Sequence, residues 1–548
     1  MLLLLLAGLI SGLASAPHGR AEVPLAVLPE KIEPLIDGIV AAVHEGDYVA
    51  ARQLLDDAYA LSPSDPGVFW SHAFLLVWES AYRLDEVAAD AAFVALLDAI
   101  QAHHQRVGRG SSNEPRAAYY YGLASLMRAR TRIEGPDKEL FKAAADARRG
   151  IRSLERAVKL GYNTPDASFW IGAYRIMAGS APAALRAVRF LIGMPSASRK
   201  KGLRELDHAV LEGRRFRLES SLMMAGVLAG DRKQGYEPAL ALMSSILPDL
   251  TRRGSILPGY AGKLLAGWGL NRQAMSLWRR ILDRRAVRPE LYNDLETATV
   301  HYSMAHLLVE EFRWAEAIPH LKRILEGPEL QAPRLSQRAR LLLARCYQRL
   351  GDRSQVVRLL EQFSGSEKTR KRLANLMAAS YPDPVVEREV SMALKYWNSG
   401  GAVVALAALE DLLLRRPTHA AARYHAGRAA FRLHRLERAE HHFRMLLGLD
   451  RQSALSETLL GWNHLYLGWL ADLKGAREEA LIHYKKVQKM KSFDAYRAGE
   501  LYAQMPYSRV SSGSVGGWAP LGGEAPWSGQ DTVERKAVTS SDGEVADQ

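Results

Sequence analysis

The residues that could carry out covalent or metal chemistry are few, and their spacing is poor for it. The single cysteine, Cys346, stands between Arg345 and Tyr347. Alone it can form no internal disulfide, no Cys-based zinc site and no iron–sulfur cluster, and in an amphipathic helix it reads as a packing residue. His103-His104 and His441-His442 are adjacent pairs, and neighbours on a helix project about 100° apart, so they seldom chelate one ion. His301 and His306 lie five apart and share a helical face badly. Ser198-Arg199-Lys200-Lys201 has the S-x-x-K spacing of a serine nucleophile and its lysine, but it lacks the partner motifs and is wholly polar. No GxxxxGK[ST], GxGxxG, HExxH or GxSxG stretch occurs. The sequence therefore predicts a non-catalytic protein with no cofactor and no metal, and its function is sought in binding.

Composition supports a folded chain with an anionic partner or surface. At 548 residues, 48% hydrophobic and 24% charged, wholesale disorder is excluded, and the formal charge of +13 favours acidic ligands. The two ends stand apart from the body. Residues 1–21 open with an uncharged leucine-rich run that closes on Ala14-Ser15-Ala16, the small-residue pattern of signal-peptidase cleavage, with Ala21 a second candidate. The run is shorter than the ~20 residues that a spanning helix needs, so the expectation is an export signal, with an amino-terminal anchor as the alternative. Residues 508–548 are crowded with Gly, Ser and Pro and lack helical periodicity, so a disordered acidic tail is expected. From Ser511 onward six acids stand against two bases, so the body is more basic than the total charge shows.

Between the ends one spacing recurs. A small residue is followed seven residues later by a turn position, five later by alanine, four later by a bulky apolar residue and three later by another. The clearest run is Ala393, Gly400, Ala405, Leu409 and Leu412, then Gly427, His434, Ala439, Phe443 and Leu446. Six further copies are centred on Ala51, Ala239, Ala274, Ala317, Val356 and Ala480. The physical reading is a helical hairpin. Small residues let its two helices approach, the turn position tolerates a tight reversal, and the bulky residue one turn later fills the gap. One apolar face stays uncovered until the next hairpin stacks on it.

This pattern resembles the tetratricopeptide repeat. The resemblance implies an all-α, right-handed superhelical solenoid of helical hairpins, divided into a first hairpin over 22–66, irregular helical pairs over 67–215 and a repeat array with a closing cap helix over 216–507. The stretch from Gly172 to Ile281, with its Gly-Leu-x-x-Leu at Gly202–Leu206, is similar to exported bacterial tetratricopeptide proteins. In this family the inner face comes mainly from the first helix of each hairpin, which implies that positions one and five after the small residue face inward. Those are Arg345 and Arg349 in one repeat and Arg428 and Arg432 in another, with Trp397, Tyr424 and Phe431 on these helices or close by. Guanidinium forks bind carboxylates and rings supply contact area at low entropic cost, so these seven residues are the expected site for a protein or acidic peptide partner. Solvated arginines and core aromatics are the alternative reading of the same positions. A second expectation is docking of the basic body on anionic membrane or cell-wall polymer through Arg199–Lys201, Arg214–Arg217 and Lys368–Arg372. The expected location is periplasmic or envelope-associated, and nucleic acid is not expected as a partner there.

Overall fold

The computed structural model describes residues 29–80, 90–134, 139–162, 164–179, 198–230, 236–254, 256–326, 333–363, 365–398, 400–450, 455–490 and 495–507. The expected export signal and acidic tail lie outside these residues. All regular structure among the described residues is helical, from Pro29–Glu45 to Tyr496–Gln504, and no described helix is long and apolar enough to cross a membrane.

The hairpins form where the spacing places them. All eight small second-helix positions, from Ala51 to Ala480, are fully buried. The first-helix residue touches the bulky residue sixteen positions later: a Cβ on Gly427 would lie 2.7 Å from the Phe443 ring, and one on Gly468 would overlap Tyr484. Seven of the turn positions are described, and all have positive φ: Gly46, Gly269, Gly351, Gly400 and Gly475, and the two non-glycines Phe312 (61°) and His434 (58°). Around His434 the backbone bonds Arg435 N–H to Ala430 O (2.9 Å) and His434 N–H to Phe431 O (3.2 Å). This pair of bonds satisfies the last carbonyls of the preceding helix. The 49 residues between Val356 and Ala405, long for one repeat, are explained by an additional helix, Glu367–Ala378.

The chain divides into two compact units, neither of them continuous in sequence. Unit 1 comprises residues up to Gln234 together with Pro238–Tyr260 and Arg279–Thr297. The reason is visible at the first hairpin's turn. Tyr292 N–H donates to Gly46 O (3.2 Å), Tyr48 OH to Glu296 (3.0 Å), and Arg288 pairs with Asp47 (2.8 Å). Inside this unit a charged network ties the helices Pro29–Glu45 and Glu114–Glu134 to the N-cap of Pro66–Glu79 and to the loop residues Tyr162 and Arg215. Arg116 holds Asp65 through both terminal nitrogens (2.6 and 2.8 Å) and Glu33 through Nε (2.9 Å). Arg215 reaches Asp37 (2.6 Å) and Tyr120 OH (3.1 Å), while Tyr162 OH donates to Glu33 (2.7 Å). Burial alone would raise the Glu33 carboxyl, but Arg215 and Arg116 hold it down at about 2. Arg215 is buried here, so Arg214–Arg217 is not the continuous basic run expected from sequence.

Unit 2 comprises Gly235–Glu237, Ala261–Trp278 and the chain from Ala298. Its helices pack in sequential order from Pro384–Asn398 to Tyr496–Gln504. The closing helix does more than cap the last hairpin. Tyr236 N–H donates to Gln504 Oε1 (3.2 Å), 268 residues away, and Tyr236 OH to Arg497 O (3.4 Å). A Cβ on Gly269 would lie 2.9 Å from that of Ala498.

Candidate partner-binding site

The seven residues expected to bind a partner all lie in unit 2, and the structure sorts them into two sets built on one device. In the first set Arg345 and Arg349, one turn apart on Pro333–Arg349, lie over the Trp314 ring at 5.9 and 6.0 Å. In the second, Arg428 and Arg432 on Ala420–Arg432 lie over the Trp397 ring at 5.6 and 5.3 Å. Each tryptophan belongs to the preceding hairpin and is buried, so the arginine stems and planes cover an apolar ring that would otherwise meet water. Trp314 was not among the expected residues. It lies in the first turn of its second helix, outside the first-helix positions that the family pattern singles out.

The two sets differ in what neutralises them. Arg428 is committed within the fold. It lies 3.6 Å from Glu311, donates Nε–H to Tyr466 OH (3.2 Å) and stacks on Tyr424 at 5.5 Å. Glu311 also accepts from Asn271 (2.9 Å) and Arg313 (3.0 Å). Burial would push this carboxyl up, but Arg428 and Arg313 keep it at about 2. The next residue, Phe312, has its ring 5.4 Å from Tyr424, and its carbonyl accepts from His425 Nε2 (3.3 Å). The unfavourable positive φ of Phe312 is thus maintained by packing on Ala420–Arg432. Tyr424 and Phe431 are fully buried; they form the floor under the arginines and offer no ring face to a partner. Trp397, Arg428, Leu394, Arg313 and His425 line a dent too shallow to admit a ligand.

Arg345 and Arg349 are exposed, and neither makes an ion pair among the described residues. Partial desolvation by its packed neighbours, and then the charge of Arg345, pushes the Arg349 guanidinium down, with Glu387 opposing; the two cations repel each other across one helical turn.

The remaining chemical candidates resolve into structural roles. Cys346 is buried and its thiol is pushed up to about 12. Ser198 accepts from Lys201 N–H (3.4 Å) as the N-cap of Arg199–Glu212. His104 stacks on Tyr121 at 4.4 Å, and His442 pairs with Glu410 (3.2 Å). His301 meets His320 (2.9 Å) across its own hairpin, and His464 meets His483 (2.9 Å) at the equivalent place in another. Among the described residues no cluster of three or more metal-ligating side chains is found.

Residues 308–379 and 391–454 each match the tetratricopeptide repeat family, and these two stretches contain both arginine–tryptophan sets. No curated protein matches the chain. Among solved structures, the human IFIT1 dimer with PPP-AAAA is similar at 15% identity, covering 85% of this chain and 96% of that one with a TM-score of 0.30. The apo quorum sensor NprR from B. thuringiensis is similar at 14% identity over 77% and 99% of the two chains, TM-score 0.31. Yeast Tom70 follows at 12% identity over 84% and 93%, TM-score 0.28. Likenesses this weak carry no functional argument.

Proposed function

We propose that this tetratricopeptide-repeat protein is a non-catalytic scaffold whose repeats hold an acidic segment of a protein partner, and that it works after export, in the cell envelope. The observation that carries the reading is the pair Arg345 and Arg349, exposed over Trp314 and making no ion pair among the described residues. Guanidinium planes fixed on a ring keep their in-plane N–H groups directed outward, which suits bidentate capture of carboxylates with little side-chain entropy left to lose. The Arg428–Glu311 pair, on the equivalent device, is an intramolecular example of the same recognition. Arg428 itself therefore serves the fold, and the partner's carboxylates are assigned to Arg345 and Arg349.

The test is crosslinking and affinity capture from the native host with the wild-type chain and an Arg345→Glu/Arg349→Glu variant, with amino-terminal sequencing of the mature chain. The double reversal should abolish capture of the main acidic co-purifying protein and leave helical circular dichroism intact. Unchanged capture removes the proposed surface, and a retained residue 1 removes the cleaved export signal. A second reading, electrostatic docking on an anionic envelope surface, draws on Lys368, Arg370, Lys371 and Arg372, all exposed on Glu367–Ala378. Vesicle binding that survives high salt would count against it, because screening should dissolve contacts of this kind.

A further inference from the structure

Unit 2 holds a cleft of about 240 Å³ between Ile256–Gly267 and the closing helix Tyr496–Gln504, lined by Lys263, Leu264, Gly267, Trp268, Tyr496 and Arg497. Its floor is Trp268, buried edge-on to Tyr236 at 6.1 Å. One wall is apolar and open. Leu264 lies along it, and a Cβ on Gly267 would meet no atom within 4 Å. The opposite wall is the first turn of the closing helix, where Arg497 lies 6.0 Å over the Tyr496 ring and directs Nε–H at its hydroxyl (3.4 Å).

The charge in the cleft is one-sided. Lys263 and Arg497 face it, and Arg338 adds a third positive charge beside Lys263. The acid near Arg497 is Glu500, engaged with Tyr236 OH (3.4 Å). Lys263 makes no ion pair among the described residues. Its side chain is exposed at the cleft and its ammonium is held below the ordinary lysine range, first by partial desolvation and then by Arg338, so a negative group placed there would be bound without displacing an existing partner. A cavity of about 150 Å³ accepts benzene, so this one has room for one ring with its acid group.

We propose that this cleft binds a small organic anion, a carboxylate or phosphate monoester on an aromatic body, with the acid group between Lys263 and Arg497 and the ring against Tyr496 and Leu264. The proposal is independent of the peptide surface, since no residue is shared. Because the two walls come from Ala261–Trp278 and the closing helix, segments of unit 2 far apart in sequence, a bound anion would clip one to the other and stabilise the folded unit by mass action.

Calorimetric titration of the full chain with phenyl phosphate and with benzoate tests the site and distinguishes the acid groups. Heat with either probe and an upward shift of the melting temperature are expected. Lys263→Met and Arg497→Gln should each weaken binding at least tenfold. Gly267→Phe, whose side chain enters open space at a helix end, should block the cleft with circular dichroism unchanged. A second readout uses pyridoxal 5′-phosphate. Its aldehyde condenses with an unprotonated amine to an imine, releasing water, and borohydride then delivers hydride to fix the adduct. Peptide mapping should find Lys263 modified ahead of exposed Lys200 and protected by phenyl phosphate. Absence of heat with both probes, binding indifferent to all three variants, or Lys263 modified no faster than Lys200 would each overturn the assignment.

Discussion

Glu311 shows how a single side chain decides which of two matching arginine pairs is available. Its carboxylate is buried between Asn271, Arg313 and Arg428, and removing one partner of such a pair costs about 3–5 kcal/mol, because the remaining charge stays buried. Arg313 remains in Arg428→Met, so a loss near 3 kcal/mol is expected, with much of it recovered in the double variant with Glu311→Gln. Urea unfolding followed by tryptophan fluorescence reads both, and a loss within about 0.5 kcal/mol, the range of ordinary surface changes, would show that the pair is idle. The buried pair His464 and His483 adds a pH dependence. Burial, then the charge of His483 on His464 and of Lys486 on both rings, depresses them to about 3 and about 4, with Glu479, Arg444 and Glu440 also facing His483 from the same and neighbouring helices. Since the folded values lie below the unfolded one, the unfolded chain takes up protons first. Stability should be fully present above about pH 6.5 and fade as pH falls toward 4. A His464→Gln/His483→Gln variant should flatten the unfolding midpoint across that window, and an unchanged slope would assign the acid sensitivity to other groups. None of these pairings could be read from sequence. Glu311 and Arg428 are over a hundred positions apart, and Arg215, inside Arg214–Arg217, has the look of a solvated cation while it anchors a buried network.

At the scale of the element, sequence was most informative, because a hairpin's two helices are near in the chain and their contacts repeat. The small-to-bulky interval appears in space as Gly427 on Phe443 and Gly468 on Tyr484, and the turn positions are where φ turns positive. Even the departures from the pattern have a local meaning: Phe312 pays for its backbone through Tyr424, a residue no local period would pair with it. The steric role of the glycines gives a paired test. Gly468→Ala places a methyl into Tyr484 and should destabilise by about 1–3 kcal/mol, as overpacking does. Gly448 is exposed in Leu436–Asp450 with nothing near its Cβ position, so Gly448→Ala should stabilise by up to about 1 kcal/mol through helix propensity alone. Opposite signs in denaturant midpoints are expected. A stabilising Gly468→Ala would mean that close helix approach is not what the small residue secures.

At a larger scale local periodicity fails, because it specifies which hairpin follows which and is silent on which distant segments of unit 2 meet. The closing helix reads from sequence as a cap for Arg477–Lys489, yet it also packs on Tyr236 and Gly269. If that second contact matters, Tyr496–Gln504 and Ile256–Gly267 should open together despite their distance in sequence, since the turn that ends the second helix meets Ala498 of the first at Gly269. Ala498→Leu tests this, because the larger side chain would press into the Gly269 turn, whose φ of 79° leaves the backbone little room to retreat. Overpacking of about 1.4 kcal/mol corresponds to a tenfold rise in opening. Hydrogen exchange should therefore accelerate about tenfold in both helices at once. A rise confined to residues 496–504 would show a plain terminal cap and would leave the contact with Gly269 without a structural role.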